Sequence, residues 1–460
     1  MDSPHFLPAP VSPSRVAGVF ALCAAAFALD LYAWWPGQVS FDAAYAWWQA
    51  QGGASTTIVP PAFVLALKAC GALGGGPGLL LAFHSALFWT GCGAAALALR
   101  WRFAHAAAVV LVLALAPVAW LLRGHVWTDV GLFSSLVFAT GMLALAASSR
   151  RSLPLAAALP ALLYAAALCH NALLAVLPFL AWWTWLAGRR LRPSMSPRQA
   201  VLPALAIVLA TVGMVRSLDG LVDRRIPLWP SLAQYDLAAV SVARGRMLLP
   251  EFMIGPGLEV AELAAAFRDW SNLPMLHGTR HGMRAPFDAF RPEEFAVLRA
   301  AWIGAVLHEP AAWLGHRWRL TRNLVGTHGA DWPVELVFAP GWARYGDEPR
   351  PPGNGTALHR WLLQAAGALR ATPALAAWPY LLAGLAVLPV ALRRRREPRG
   401  RLALLLLASA WLYGLTLALL APSAELRYLG WPCVASLFAF AAAWIPVNAA
   451  AVPPGPAGAA

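Results

Sequence analysis

The chain has 460 residues, of which 60% are hydrophobic and 12% charged, with 23 tryptophans and a formal charge of +14. Soluble domains average about 25% charged residues, so this composition marks an integral membrane protein and excludes an ordinary soluble fold. The positive charge does not point to nucleic acid, because the basic residues cluster in short connections between apolar segments, where membrane topology already accounts for them.

Met1 to Pro13 lacks the basic stretch and small-residue cleavage site of a removable signal, so the first apolar run is expected to persist as an anchor. Segments of spanning length follow at 15–35, 77–99, 103–122, 129–148, 153–170, 172–188, 199–217, 373–391, 402–421 and 429–447, which predicts ten transmembrane helices. Arginines cluster at Arg100/Arg102, Arg150/Arg151, Arg189/Arg190/Arg192/Arg198 and Arg393 to Arg401, at every second junction, where the positive-inside rule places cytoplasmic loops. Both termini are then cytoplasmic, and the alternate junctions, carrying Asp42, His125, Asp129, Asn171 and the Glu425/Arg427 pair, face outward. Lys68 is the one lysine among 35 basic residues, a bias of GC-rich bacterial genomes, so the expected location is a bacterial inner membrane. Cys23, Cys70, Cys92, Cys169 and Cys433 all lie in apolar runs without paired spacing, and neither a disulfide nor a cysteine metal site is expected.

The fold class that follows is an all-α polytopic membrane protein, divided into a transmembrane module over 1–217, an outward domain over 218–372 and a second transmembrane module over 373–460. The first outward loop, 36–76, follows Trp34-Trp35-Pro36-Gly37 with a helical stretch from Val39 to Gln51. After Pro60-Pro61 comes a short apolar run, Ala62 to Cys70, which reads as an interfacial helix. In the outward domain, Phe295 to Leu324 has apolar residues at helical spacing and a polar face of Arg299, His308, His316, Arg317, Arg319 and Arg322, and is expected to lie on the membrane surface.

Five short motifs punctuate this order: Trp35 to Asp42, Trp127-Thr128-Asp129, His170-Asn171-Ala172-Leu173, Tyr235-Asp236-Leu237-Ala238 and Glu425-Leu426-Arg427-Tyr428. In motif order and topology the chain resembles the GT-C superfamily of polytopic membrane glycosyltransferases, in an uncharacterised bacterial branch akin to protein mannosyltransferase and aminoarabinose transferase relatives. The resemblance implies a polyprenyl-phosphate-linked sugar donor, a lipid, glycan or protein acceptor, an active site at the periplasmic face and an essential acid at Asp42. Relatives carry an acid and a histidine directly before the double proline. Here the stretch is Thr56-Thr57-Ile58-Val59-Pro60-Pro61, which lacks the polar pair that would support a metal-assisted mechanism.

Sugar transfer from a lipid phosphate needs a base for the acceptor proton and a cation for the departing phosphate. Asp42 is the candidate base, among Phe41, Tyr45, Trp47 and Trp48, of which Tyr45 and Trp48 are expected to stack on substrate; the alternative is that Asp42 caps the helix it opens. Asp129 is a second candidate acid, or a carboxylate favoured only by the helix dipole. Arg427, with Glu425 beside it, is the first choice for phosphate, against a snorkelling arginine or a simple ion pair; Arg123 is the second choice, with His125 in the same turn. No cofactor is required by this chemistry, although a divalent cation on Asp42 and Asp129 stays open, and the His277/His281 spacing is a weak metal signal. A ligase or polymerase of lipid-linked polysaccharide, or a non-catalytic transport or assembly protein, are the alternative functions. The spans hold few features of a transporter's midplane beyond His84 and Pro117.

Overall fold

A computed structural model describes residues 12–149, 151–327 and 332–445 of the chain, and over these it is helical, with isolated β-bridges but no strand. Arg150, most of the N-terminal stretch before Pro13 and the last two positions of the predicted final span, 446–447, lie outside the described residues.

The first half forms α1 (Pro13–Trp34), α2 (Phe41–Ala50), α3 (Pro61–Ala72), α4 (Gly76–Ala98), α5 (Phe103–Leu115), α6 (Pro117–Arg123), α7 (Thr128–Ser148), α8 (Leu153–Leu168), α9 (Ala172–Leu191) and α10 (Val201–Leu218). Then come α11 (Trp229–Arg244), α12 (Val260–Ala266), α13 (Leu273–Gly278), α14 (Pro292–His308), α15 (Pro310–Leu324) and α16 (Ala357–Leu369). The chain closes with α17 (Trp378–Arg393), α18 (Pro398–Leu420) and α19 (Gly430–Trp444). Proline opens many of these helices, because it has no N–H to leave unpaired in the first turn.

Among the described residues, seven helices are long and apolar enough to cross a membrane, or eight if α5 and α6 form one broken span. The protein is membrane-embedded on that composition. The ten-segment expectation is redrawn at three places. The stretch 103–122 breaks before Pro117, where Ala116 is extended rather than helical, and its halves meet at 68°. The stretch 153–170 stops at Leu168 because Cys169 is extended, leaving a 16-residue helix. The stretch 373–391 begins with a 3-10 turn, Pro373–Leu375, so that α17 starts at Trp378 and is also 16 residues long.

α4 and α7 are the central pair. Gly91 and Gly141 let them touch: a Cβ on either would collide with the facing helix's backbone. Asp30 of α1 is buried beside this pair and accepts from Arg123 Nε (2.9 Å), Trp89 Nε1 (2.7 Å) and Ser85 Oγ (3.0 Å), fastening α1, α4 and α6 together.

The run Ala62 to Cys70 lies within α3, whose Phe63, Val64 and Leu67 are buried as it packs on α2 and α4, while Leu65 stays exposed. The run Phe295 to Leu324 is split at Glu309 into α14 and α15, and His316 and Arg317 of its polar face are buried. They turn inward because Asp236 of α11 is buried there: it pairs with Arg317 Nη2 at 2.5 Å and accepts from Trp302 Nε1 (2.8 Å) and Trp313 Nε1 (3.0 Å).

Candidate active site

Three connections meet at one end of the bundle. The segment after α1 bonds on one side to the α6–α7 turn, through Gln38 N–H to Gly124 O (2.8 Å) and Val126 N–H to Gln38 O (2.9 Å). On its other side it bonds to the loop before α16, through Val39 N–H to Gly341 O (2.8 Å) and Ala343 N–H to Val39 O (2.7 Å). Gly37 makes the approach possible: it sits at φ +104°, and a Cβ there would lie 2.6 Å from Val126 Cγ2. This register sets the starts of α2 and α7 side by side, with Trp127 Nε1 donating to Ser40 Oγ at 2.8 Å and an acid in the first turn of each helix.

Arg427 comes to the same place from the far end of the sequence, on the 3-10 turn Leu426–Leu429 before α19. Its Nη2 donates to Asp42 Oδ2 at 2.6 Å across 385 residues, and its Nε lies 2.6 Å from Glu425 Oε2. The guanidinium lies over Trp127 (5.2 Å) and Tyr428 (5.3 Å), and Glu425 Oε1 is fixed by Ser423 Oγ (2.6 Å) and Tyr428 OH (3.2 Å). Two carboxylates therefore share one cation. Arg427 is recessed at 11% side-chain exposure, whereas Asp42 fronts solvent at 58%. The N-cap of α2 is Ser40, whose side chain makes no capping bond, and Asp42, the second residue of the helix, pairs with Arg427.

Asp129 is buried, with Tyr413 OH at 3.5 Å and Cys169 Sγ at 3.8 Å, and lies within the field of Arg427 and Glu425. Asn171 reaches the same Tyr413 hydroxyl. Tyr45 and Trp48 stack at 6.0 Å, and Tyr345 tilts over both, at 4.5 and 5.1 Å, with Phe41 5.3 Å from it. Nothing near Tyr345 in the chain marks it; the bridge between Val39 and Trp342 and the bond from Trp47 Nε1 to Pro349 O (2.9 Å) carry its loop to α2.

His125 and Arg123 are placed otherwise. His125 is fully buried, donates through Nδ1 to Leu121 O (2.9 Å) and accepts at Nε2 from Ala339 N–H (3.0 Å). Burial holds its ring down to about 4, in the neutral form those two bonds require. It ties two loops together and has no free nitrogen for substrate. Arg123 is committed to Asp30 and to Leu113 O (2.9 Å), with Phe88 and Trp89 against its guanidinium, and does not join Arg427. His281 pairs with Glu262 at 2.5 Å rather than with His277. Among the described residues, no group of three or more His, Cys, Asp or Glu side chains is arranged to hold a metal ion.

What fold and site define is an all-helical, membrane-embedded protein with a carboxylate–guanidinium cluster and an aromatic wall at its loop-rich end. No protein-family model, curated protein or solved structure matches the chain.

Proposed function

We propose that the protein is a GT-C-like glycosyltransferase that moves a sugar from a polyprenyl-phosphate donor to an acceptor hydroxyl of a lipid, glycan or protein, at the periplasmic face of a bacterial inner membrane. The observation that carries this reading is the 2.6 Å contact of Asp42 with Arg427, beside aromatic rings suited to a sugar face.

A donor phosphate arriving at Arg427 competes with the carboxylates already on it. Asp42 yields first, being far more exposed than Glu425, and its carboxylate is then free to accept a hydrogen bond from the acceptor hydroxyl. The acceptor O–H then gives its proton to Asp42, the acceptor oxygen bonds to the anomeric carbon, and the bond from that carbon to the phosphate oxygen breaks with its electron pair on the phosphate. A phosphodiester with one negative charge becomes a monoester carrying about two near neutral pH, so Arg427 interacts more strongly with the transition state than with the bound donor. Such a single displacement inverts the anomeric centre. Asp129, deeper in the same field, acts on Asp42 and Arg427 through its charge.

The test is Asp42→Asn in a strain with a scorable surface glycan, paired with single-turnover transfer by the purified protein. The substitution is expected to lower transfer by about a hundredfold or more, the range of a lost general base. Normal expression with an unchanged glycan removes Asp42 as the base.

A further inference from the structure

A second cluster of ionisable side chains is built around His316 of α15, apart from the chemistry assigned to Asp42 and Arg427. The ring of His316 is fully buried and lies edge-on to Tyr235 (4.7 Å) and Phe267 (5.8 Å). Its Nε2 is 3.5 Å from Asp236 Oδ1 of α11, its Nδ1 is 3.7 Å from Asp269 Oδ1 between α12 and α13, and neither nitrogen makes an aligned hydrogen bond. Each acid already has a cation on that same oxygen: Arg317 Nη2 is 2.5 Å from Asp236 Oδ1, and Arg319 Nε is 3.0 Å from Asp269 Oδ1. Tyr235 donates its hydroxyl to Arg268 O (2.7 Å), and burial pushes it up, so it stays neutral. Two carboxylates and two guanidiniums thus balance around an uncharged ring.

A proton on His316 upsets that balance. The imidazolium is an unmatched charge in a dry site, and both of its N–H groups face oxygens that an arginine already holds. The two arginines differ in how they can give way. Arg319 is 44% exposed and can turn to solvent, whereas Arg317 is 3% exposed and can only shift within the packed interface. Arg317 is also the link to the candidate site: its Nη1 donates to Ala421 O at 2.8 Å, and the segment that carries Asp269 holds Ala424 N–H through Trp270 O (2.8 Å). Both bonds fix the stretch that leads to Arg427. We propose that His316 is a proton-operated release for the turn bearing Arg427: on acidification its imidazolium competes with Arg317 for Asp236 Oδ1, Arg317 shifts, and the turn loosens. The sign follows from burial, which, with Arg317 acting the same way against the pull of Asp269 and Asp236, holds His316 below the ordinary imidazole value of about 6.5. The folded protein favours the neutral ring, so the hold is complete above about pH 6.5 and is lost as pH falls below it. This hold is a property of the turn and stands whether or not the protein transfers sugar.

The test is hydrogen exchange on the full chain in nanodiscs from about pH 7.5 to about pH 5, with rates corrected for the intrinsic pH dependence of exchange. Wild-type peptides covering 418–430 and 267–271 are expected to quicken about tenfold on acidification, the effect of roughly one pH unit of proton linkage, while peptides of α4 and α7 stay protected. His316→Gln, whose amide takes no proton, should hold 418–430 at its neutral rate throughout. His125→Gln should retain the acid response, which assigns that response to His316. The wild-type profile needs no variant to decide the matter: an unchanged rate at 418–430 across this range overturns the proposal, as does an acid response that persists in His316→Gln or spreads equally to α4 and α7. Acid loosening of 418–430 in a protein that transfers no sugar keeps the release and removes the transferase reading instead.

Discussion

Asp42, Glu425 and Arg427 were legible in the sequence because each stands next to an apolar segment, where topology restricts a side chain to one membrane face. Their actual contact was not, since neither acid nor arginine carries a mark of its partner. Tyr345 and the Asp30–Arg123 pair were missed for the same reason. The aromatic contact is testable: Tyr345→Ala should raise KM for the donor about tenfold with a smaller change in kcat, and Tyr345→Phe should be near wild type, since stacking rather than the hydroxyl makes the contact. His125 offers a pH test that requires no substrate. Its folded value, near 4, lies below the ordinary imidazole value of about 6.5, so between these the unfolded chain binds a proton that the native ring refuses. Stability from this group is complete above about pH 6.5 and is lost as pH falls toward 4, by on the order of 3 kcal/mol. Melting curves in detergent should show that slope in the wild type and a flatter one in His125→Gln; parallel slopes refute the assignment.

Helices were read from apolar length, and that works where a segment is long and uninterrupted, as in α1, α4, α7 and α18. It fails where a residue tolerated in an apolar run changes the backbone: Pro117 bends a predicted span and Pro373 delays another. The joints so created need fastening. Arg123, the last residue of α6, reaches Asp30 of α1, and both are buried among apolar helices. Removing one partner leaves a buried charge unanswered, so Arg123→Met should destabilise by about 3–5 kcal/mol. The double variant Arg123→Met/Asp30→Leu should recover most of that loss, because two apolar side chains of similar volume replace two desolvated charges. Equal melting temperatures for the single and double variants would mean that shape, not charge, holds this joint.

At the scale of the whole molecule, the helices between the two apolar sets act on the candidate site through the turn that carries it. Arg317 Nη1 donates to Ala421 O (2.8 Å), Thr321 Oγ1 to Ala418 O (3.3 Å), and Ala424 N–H to Trp270 O (2.8 Å), while Ser271 bridges Ser423. The stretch from the end of α18 to Glu425 is thus pinned from above, and Arg427 follows two residues later. The sequence suggested instead that Arg317 belongs to the outward polar face of 295–324. The difference arises because Asp236, inside a mostly apolar α11, demands a cation, and Arg317 is turned inward to supply it. Arg317→Met should therefore loosen the turn without unfolding the bundle. Hydrogen exchange on the intact protein is expected to quicken in peptides covering 418–430 and in α11, while peptides of α4 and α7 keep wild-type protection. Adding Asp236→Leu should restore protection in α11, where the stranded carboxylate is gone, but not at 418–430, where the bond to Ala421 is still missing. If 418–430 exchanges at the wild-type rate in the single variant, the middle helices do not hold Arg427 in place, and its contact with Asp42 is maintained by the membrane bundle alone.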